Sequence, residues 1–405
     1  MTYLVLGLAR SGRAAALALA RKGDRVMAVD RSADADVGRL AGAGVEVHLG
    51  TEETTLLEGV DVLIKSPGVP SEAPLVTAAR ERGIPVWSEI ELGGRLLSTP
   101  ILGVTGTNGK TTTTALLGEM LAAPVAGNIG RALTELDDEG RWIVCELSSF
   151  QLEDIHQFRP RIAVLLNLEP DHLDRHGSID AYRAAKLRIF ENQGESDVAV
   201  VPVGFDEVPG RARRVEFEPS DELPAEPLIP GAHNRENAAA ATAAARALGI
   251  ADSRIAEALE TFPGVAHRLE PVAEAAGVRY VNDSKATNTA AARRAVAAYD
   301  EPLHMILGGS DKGESYTELA LDMAGRVRRA YLIGETAKEI ATALELAGVD
   351  HELSGDLETA VRSAAGNAIP GEIVLLAPAC ASYDQFHDFE ERGEAFRRIV
   401  AEVAS

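Results

Sequence analysis

Ile101-Leu-Gly-Val-Thr-Gly-Thr-Asn-Gly-Lys-Thr-Thr112 is an apolar strand that breaks into a glycine-rich turn ending in Lys-Thr. Successive backbone N–H groups of such a turn point inward and a helix N-terminus opens behind them, so the turn suits a triphosphate. Lys110 can reach the outer phosphates, and the Thr111 hydroxyl can take a Mg²⁺ position. The common P-loop pattern G-x-x-x-x-G-K-[ST] would put a glycine at 104, where this chain has Val104; Gly103, Gly106 and Gly109 carry the turn instead. A turn that binds nothing is the alternative, but turn chemistry alone does not require Lys-Thr directly after the last glycine.

The 405 residues are too many for one core and imply about two to four domains. With 46% hydrophobic and 25% charged residues the composition is that of an ordinary globular protein. A net charge of −22 disfavours nucleic acid and anionic membranes as partners, so anionic ligands need local positive pockets. Cys145 and Cys380 lie near apolar runs and are expected as buried free thiols in a reducing cytoplasm. Met1-Thr2-Tyr3-Leu4-Val5-Leu6 runs into a Gly turn without the charged start of a signal peptide. No apolar run approaches the roughly 20 residues that span a bilayer, so a cytoplasmic location is expected.

Apolar runs of strand length alternate with helical patterns along the whole chain, the βα rhythm of parallel sheets covered by helices. Three blocks are expected: 1–96, a small doubly wound unit with a Gly7-Leu-Ala-Arg-Ser-Gly12 turn and Asp30 after its second strand; 97–264, built on the Ile101 strand; and 265–405, with strands near Val278, His304, Ala330 and Ile373. A stretch rich in Pro and Glu, Val208 to Pro230, is expected to be polar loop, followed by a helix over Asn234 to Leu248.

Doubly wound sheets bind ligands at the carboxyl ends of strands, so the residues just after each apolar run are informative. Glu146 follows the Trp142 to Cys145 strand, where ATPases hold Mg²⁺, although a strand-end acid can also cap the next helix. Asn167-Leu-Glu-Pro-Asp-His-Leu-Asp-Arg-His176 follows the next strand, and Asp171 or His172 could meet a second metal or the transferred phosphate; a solvated loop is the plainer account. On the following helix, Lys186 shares an apolar stripe with Tyr182, Ile189 and Phe190. It is either a snorkelling side chain or a buried amine with a lowered pKa, able to take up CO₂ and ligate Mg²⁺ as a carbamate. In the third block, Asn282-Asp-Ser-Lys-Ala-Thr-Asn288, Gly308-Gly-Ser-Asp-Lys-Gly313 and Ala377-Pro-Ala-Cys-Ala-Ser-Tyr-Asp-Gln-Phe386 follow three strands. Their Lys, Thr and Ser side chains suit a small carboxylate-bearing substrate.

Taken in order, Thr105 to Thr111, Glu146-Leu-Ser-Ser-Phe-Gln-Leu-Glu153, Asp171-His-Leu-Asp-Arg-His176, Tyr182-Arg-Ala-Ala-Lys-Leu-Arg-Ile-Phe190, His233-Asn234 with Asn237, His267-Arg268, Asn282 to Asn288 and Ala379 to Phe386 resemble the bacterial Mur ligases over essentially the whole chain. These are ATP-dependent amide ligases of peptidoglycan precursor synthesis. The P-loop alone is shared with folylpolyglutamate synthases; the Ser-Ser-Phe-Gln-Leu-Glu and Asn-Asp-Ser-Lys-Ala-Thr-Asn segments are far more selective. The resemblance implies an α/β chain of three domains: an N-terminal Rossmann-like domain, a central P-loop ATPase-like domain with a mostly parallel sheet, and a C-terminal Rossmann-like domain. It implies a cytoplasmic monomer that joins D-glutamate to UDP-N-acetylmuramoyl-L-alanine, with ATP and two Mg²⁺ ions. Gly106, Thr107, Asn108, Gly109, Lys110, Thr111 and Thr112 would hold the ATP phosphates, with Asn234, Asn237, Arg268, Asp283 and Lys285 around the rest of the nucleotide. Lys110, His172 and Lys186 would be catalytic; Thr111 and Glu146 would hold one Mg²⁺, His172 and a carbamylated Lys186 the other. Thr287, Lys312, Ser382 and Phe389 would line the glutamate site, and Ser11, Asp30, Arg31, Ser66 and Asn128 the UDP-sugar site.

The chain departs from the family at Ser11, where Thr is usual, at Arg131, where Pro is usual, at Tyr383, often aliphatic, and in a short acidic stretch before Pro230. Three rivals stand beside this reading. Gly7-x-Ala-x-x-Gly12 with Asp30 approximates an NAD fingerprint, weakened by Ala9 in place of the middle glycine. A folylpolyglutamate synthase would not need the block ahead of the P-loop, and a nucleotide-binding regulator would leave the third-block strand ends without a purpose.

Overall fold

The computed structural model describes residues 1–138, 140–311 and 313–404. Three sheets form from the apolar runs. The first has β1 (Thr2–Leu6), β2 (Arg25–Asp30), β3 (Glu46–Leu49), β4 (Val62–Lys65) and β5 (Val86–Ser88), in the order β3-β2-β1-β4-β5, all parallel. Strand order reverses around β1, so the turn after it lies at the switch point where doubly wound sheets bind ligands. There Gly7 has φ 87°, and a Cβ on Gly12 would come within 1.8 Å of the Gly7 carbonyl oxygen. Only glycine lets the helix Arg10–Arg21 start so close to its strand.

The second sheet has β6 (Ile101–Thr105), β7 (Val125–Gly127), β8 (Ile143–Glu146), β9 (Ile162–Leu165), β10 (Val198–Pro202) and β11 (Arg213–Phe217), again all parallel, ordered β11-β10-β9-β6-β8-β7. β11 falls inside the stretch expected to be polar loop. It is an edge strand paired with β10 on one side, and only Phe217 of its five residues is buried, so an apolar run is not required there. The third sheet has β12 (Glu270–Ala275), β13 (Val278–Asn282), β14 (Leu303–Gly308), β15 (Val327–Ile333), β16 (His351–Gly355) and β17 (Ile373–Leu376), ordered β12-β13-β17-β14-β15-β16. β12 alone is antiparallel to its neighbour.

The chain divides into two compact units, 1–228 with 232–262, and 229–231 with 263–405. The first unit contains two sheets, and buried ionic groups join them. Lys65, fully buried at the end of β4, lies 2.8 Å from Asp154 and 3.3 Å from Glu153, both just beyond β8. Glu91 accepts the backbone N–H groups of His156, Gln157 and Phe158 and the Arg95 guanidinium. Burial alone would raise its pKa, but those donors hold it below the ordinary value. Cys145 and Cys380 are buried free thiols, and among the described residues no helix is long and apolar enough to cross a membrane.

In the second unit Arg392 is buried to 1% exposure on the helix Phe389–Val403. Its guanidinium donates to the Ser284 carbonyl oxygen at 2.9 Å, to Cys380 O at 3.1 Å and to Ala381 O at 3.2 Å, clamping the segments that follow β13 and β17. Burial lowers its pKa to about 10, still a cation at neutral pH. Truncation leaves three carbonyls without this donor, so Arg392→Ala should destabilise this unit by about 3 kcal/mol; a urea midpoint equal to that of the unsubstituted protein would contradict it.

Candidate active site

β6 delivers the P-loop. Gly106 (φ 154°) and Gly109 (φ 80°) take conformations that side chains disfavour, and a Cβ on Gly109 would lie 2.1 Å from Asn237 Oδ1. Helix Lys110–Leu121 starts directly after Gly109, with Thr111 buried in its first turn. The loop is braced from β9: the Thr107 N–H donates to Asn167 O at 3.0 Å, the Asn108 N–H to Asn167 Oδ1 at 2.8 Å, and Asn108 Nδ2 to Glu169 at 2.7 Å. Asn234 and Asn237 are buried on helix Ala232–Ala247.

Lys110 Nζ donates to Gly106 O at 2.9 Å and to Thr107 O at 2.8 Å. Lys186 Nζ donates to the same Gly106 carbonyl at 2.7 Å, so one oxygen serves two lysines. Lys186 is buried on helix Ile179–Leu187 beside Tyr182, its Nζ 4.8 Å from the ring centroid. Burial, and then the Lys110 cation, bring its pKa from 10.5 to about 7, against the pull of Asp171 and Glu146. The stripe read from sequence is therefore a buried face with an amine in it, not a snorkelling lysine.

Glu146 ends β8, next to β6 in the sheet. It is buried; Oε1 accepts Asn128 Nδ2 at 2.7 Å, and Oε2 has no hydrogen-bond partner among the described residues. A buried, unpartnered carboxylate oxygen opposite a P-loop threonine fits a Mg²⁺ ligand. Among the described residues no three His, Cys, Asp or Glu side chains form a metal centre of their own. Mg²⁺ at phosphate sites takes one or two carboxylates and completes its shell with phosphate and water, which this donor set allows. His172 is exposed, at φ 51°, its ring 5.1 Å from Phe150.

In the first sheet, Asp30 accepts the Leu8 N–H at 2.7 Å and the Ser32 N–H at 2.9 Å, and Ser66 Oγ donates to Gly7 O at 2.6 Å. Asp30 and Ser66 thus brace the turn that starts the helix bearing Ser11; Arg31 is exposed. Asn128 is exposed and its carbonyl accepts Arg10 at 3.3 Å, a contact that sequence did not suggest.

In the second unit β13, β17 and β14 are neighbours, which brings the three ligand-rich strand ends side by side. Asp283 is buried, and burial pushes its pKa up to about 6 against the nearby Arg268 cation. Lys285 Nζ lies 3.6 Å over the Phe389 ring, Thr287 is half-buried and Ser382 is buried. Lys312 lies outside the described residues.

Three family models match the chain in order: the Mur ligase MurD-like N-terminal domain over residues 1–88, the Mur ligase middle domain over 104–208 and the Mur ligase glutamate ligase domain over 267–380. The protein named UDP-N-acetylmuramoylalanine--D-glutamate ligase in Acidobacterium capsulatum is 42% identical over 440 residues, covering 98% of this chain and 95% of its own. Its namesake in Anaeromyxobacter dehalogenans is 44% identical over 451 residues, covering 99% and 97%. The chain belongs to the Mur ligase family. As a Mur ligase it is an ATP-dependent enzyme that forms C–N bonds in peptidoglycan synthesis. Solved Mur ligases share its fold: UDP-N-acetylmuramate-alanine ligase of Thermotoga maritima superposes with a TM-score of 0.62 at 20% identity, covering 99% of both chains. A MurF ligase of the same organism, in complex with ADP, gives 0.59 at 18% identity, covering 98% of both.

The lowered Lys186 pKa has a measurable consequence for this Mur ligase. Between about pH 7 and 10.5 the unfolded chain holds a proton that the folded chain has lost, so stability rises with pH over that window. In CO₂-free buffer without metal, Lys186→Met should lower the slope of unfolding free energy against pH by about 1.4 kcal/mol per pH unit. Equal slopes for the two proteins between pH 8 and 9 would refute the buried neutral amine.

Proposed function

We propose that this Mur ligase joins D-glutamate to UDP-N-acetylmuramoyl-L-alanine through an acyl phosphate, in the cytoplasm and as a monomer. The observation that carries the reading is the buried Lys186 amine on the P-loop carbonyl, in a chain whose near full-length relatives are named for that reaction. Phosphoryl transfer from ATP forms a bond between the γ-phosphorus and a substrate carboxylate oxygen and breaks the bond to ADP. The glutamate amine then attacks the acyl carbon; a C–N bond forms, the bond to phosphate breaks, and the nitrogen loses a proton.

Bringing a carboxylate to a triphosphate opposes like charges, which Lys110 and the P-loop N–H groups offset. The residues from Gly106 to Thr112 would hold the phosphates, and Asn234, Asn237, Arg268, Asp283 and Lys285 the remainder of the nucleotide. Thr111 with Glu146, and His172 with a carbamylated Lys186, would hold two Mg²⁺ ions. When bound, the ions neutralise phosphate charge. A neutral Lys186 amine can add to CO₂, forming an N–C bond and releasing one proton, which replaces a neutral amine by an anionic oxygen ligand. Ser11, Asp30, Arg31, Ser66 and Asn128 would bind the UDP-sugar; Thr287, Lys312, Ser382 and Phe389 would bind glutamate.

The test is phosphate release with ATP, Mg²⁺ and UDP-N-acetylmuramoyl-L-alanine, comparing D-glutamate, L-glutamate and no amino acid. D-Glutamate alone should support turnover, and release that ignores the amino acid would end the reading. For the carbamate, Lys186→Ala should lose at least about a hundredfold in kcat and recover part of it with added short carboxylic acids, which restore an anionic ligand. Activity in bicarbonate-free, degassed buffer that never responds to bicarbonate would argue against carbamylation.

A further inference from the structure

His176 takes no part in the reaction as derived above, yet its side chain is only 3% exposed. It ends the short helix Leu173–His176 that follows His172, and its N–H donates to His172 O at 3.0 Å. Nε2 lies 2.9 Å from Ser149 Oγ, and Nδ1 3.3 Å from Glu153 Oε1. One face stacks on Phe150 at 5.1 Å with a 5° interplanar angle, and the ring packs edge-on against Tyr182 at 5.3 Å.

These contacts reach the three segments that carry the proposed machinery. Ser149 and Phe150 belong to the short helix just after Glu146, fixed by a capping box in which the Gln151 N–H donates to Ser148 Oγ and the Gln151 side chain returns to Ser148. Phe150 packs on His172 as well as on His176. Tyr182 lies one turn before Lys186, and its hydroxyl meets the P-loop hydroxyl of Thr107 at 2.9 Å. Glu153 in turn shares a carboxylate oxygen with buried Lys65 and with Ser71, at 3.3 and 3.0 Å.

A group that neither reaches the phosphates nor ligates a metal, but touches the supports of all three that do, fixes their mutual geometry. We infer that His176 is a positioning residue of the ligase reaction, holding the Glu146, His172 and Lys186 segments in register through Ser149, Phe150 and Tyr182. The Nε2 hydrogen bond to Ser149 and the Nδ1 contact with Glu153 set the rotation of the imidazole, and the stack transmits that rotation to Phe150. The inference rests on the ligase reading, and displacement of supporting groups by about 1 Å can cost two orders of magnitude in rate.

The full chain with its substrates provides the test. H176F keeps the stack and the edge contact but loses both polar bonds. It should lower kcat at least about tenfold while the KM for UDP-N-acetylmuramoyl-L-alanine stays within about twofold, since four of the five residues proposed for that site, Ser11, Asp30, Arg31 and Ser66, belong to the first sheet and the segments that follow its strands. S149A removes one of the same bonds and should lower kcat about threefold or more; the S149A/H176F pair should be no slower than H176F, because the two changes break one linkage. H176F and S149A both within twofold of the unsubstituted enzyme would overturn the inference. So would a loss in kcat matched by the same factor in every KM, or strictly multiplicative losses in the pair. If H176F does not fold, an unchanged kcat for S149A alone overturns it. Failure of the unsubstituted enzyme to release phosphate with D-glutamate would instead fault the ligase reading.

Discussion

The Gly106 carbonyl oxygen accepts from both Lys110 and Lys186, and this shared acceptor governs the chemistry of the loop. A carbonyl has two lone pairs, so the one oxygen can accept from both lysines. Two cations on one oxygen repel each other. Burial first, and then the Lys110 cation, lower the Lys186 pKa to about 7, while Lys110 is only half-buried at the loop. Gly106 has a positive φ of 154°, and a Cβ added there would come within 2.9 Å of Leu166.

The parallel topology explains why these groups meet at all. β9, β6 and β8 are adjacent, and their carboxyl ends bear Asn167, the P-loop and Glu146 respectively. Because every strand of this sheet runs the same way, chain segments separated by some forty to sixty residues deliver their polar ends to one edge. The first sheet repeats the device around β1, where the Gly7 turn, Asp30 and Ser66 converge by hydrogen bonds. The third repeats it with β13, β17 and β14.

What sequence revealed and what it concealed follow from burial. β1, β6, β8, β9, β14 and β17 are covered on both faces and read as apolar runs, and the segment that follows each run carries side chains of the candidate site. β3, β11, β12 and β16 are edge strands with polar residues along them, Glu46 and His48 or Arg213, Arg214 and Glu216, so an apolar run was not there to find. Val198-Ala-Val-Val201 of β10 is such a run and could have been read as a strand. The spacing of Tyr182 and Lys186 put both on one face, and that face is buried. The junction at Lys65 and the Arg392 bond to Ser284 were not legible, since Glu153 lies 88 residues from Lys65 and Ser284 lies 108 from Arg392, and both contacts depend on sheet order.

Buried charge also accounts for how the first unit is held together. An ion pair such as Lys65 with Asp154 adds little net stability, because desolvation offsets most of the attraction. Its effect is on specificity: a buried cation has acceptable partners in one docking of the two sheets and none in a shifted one. Glu91, which collects three backbone N–H groups and Arg95, adds the same constraint with opposite sign. Apolar packing alone would tolerate small sliding between the sheets. Fixed polar partners remove that freedom, and the Gly7 turn is then kept at a set distance from the P-loop.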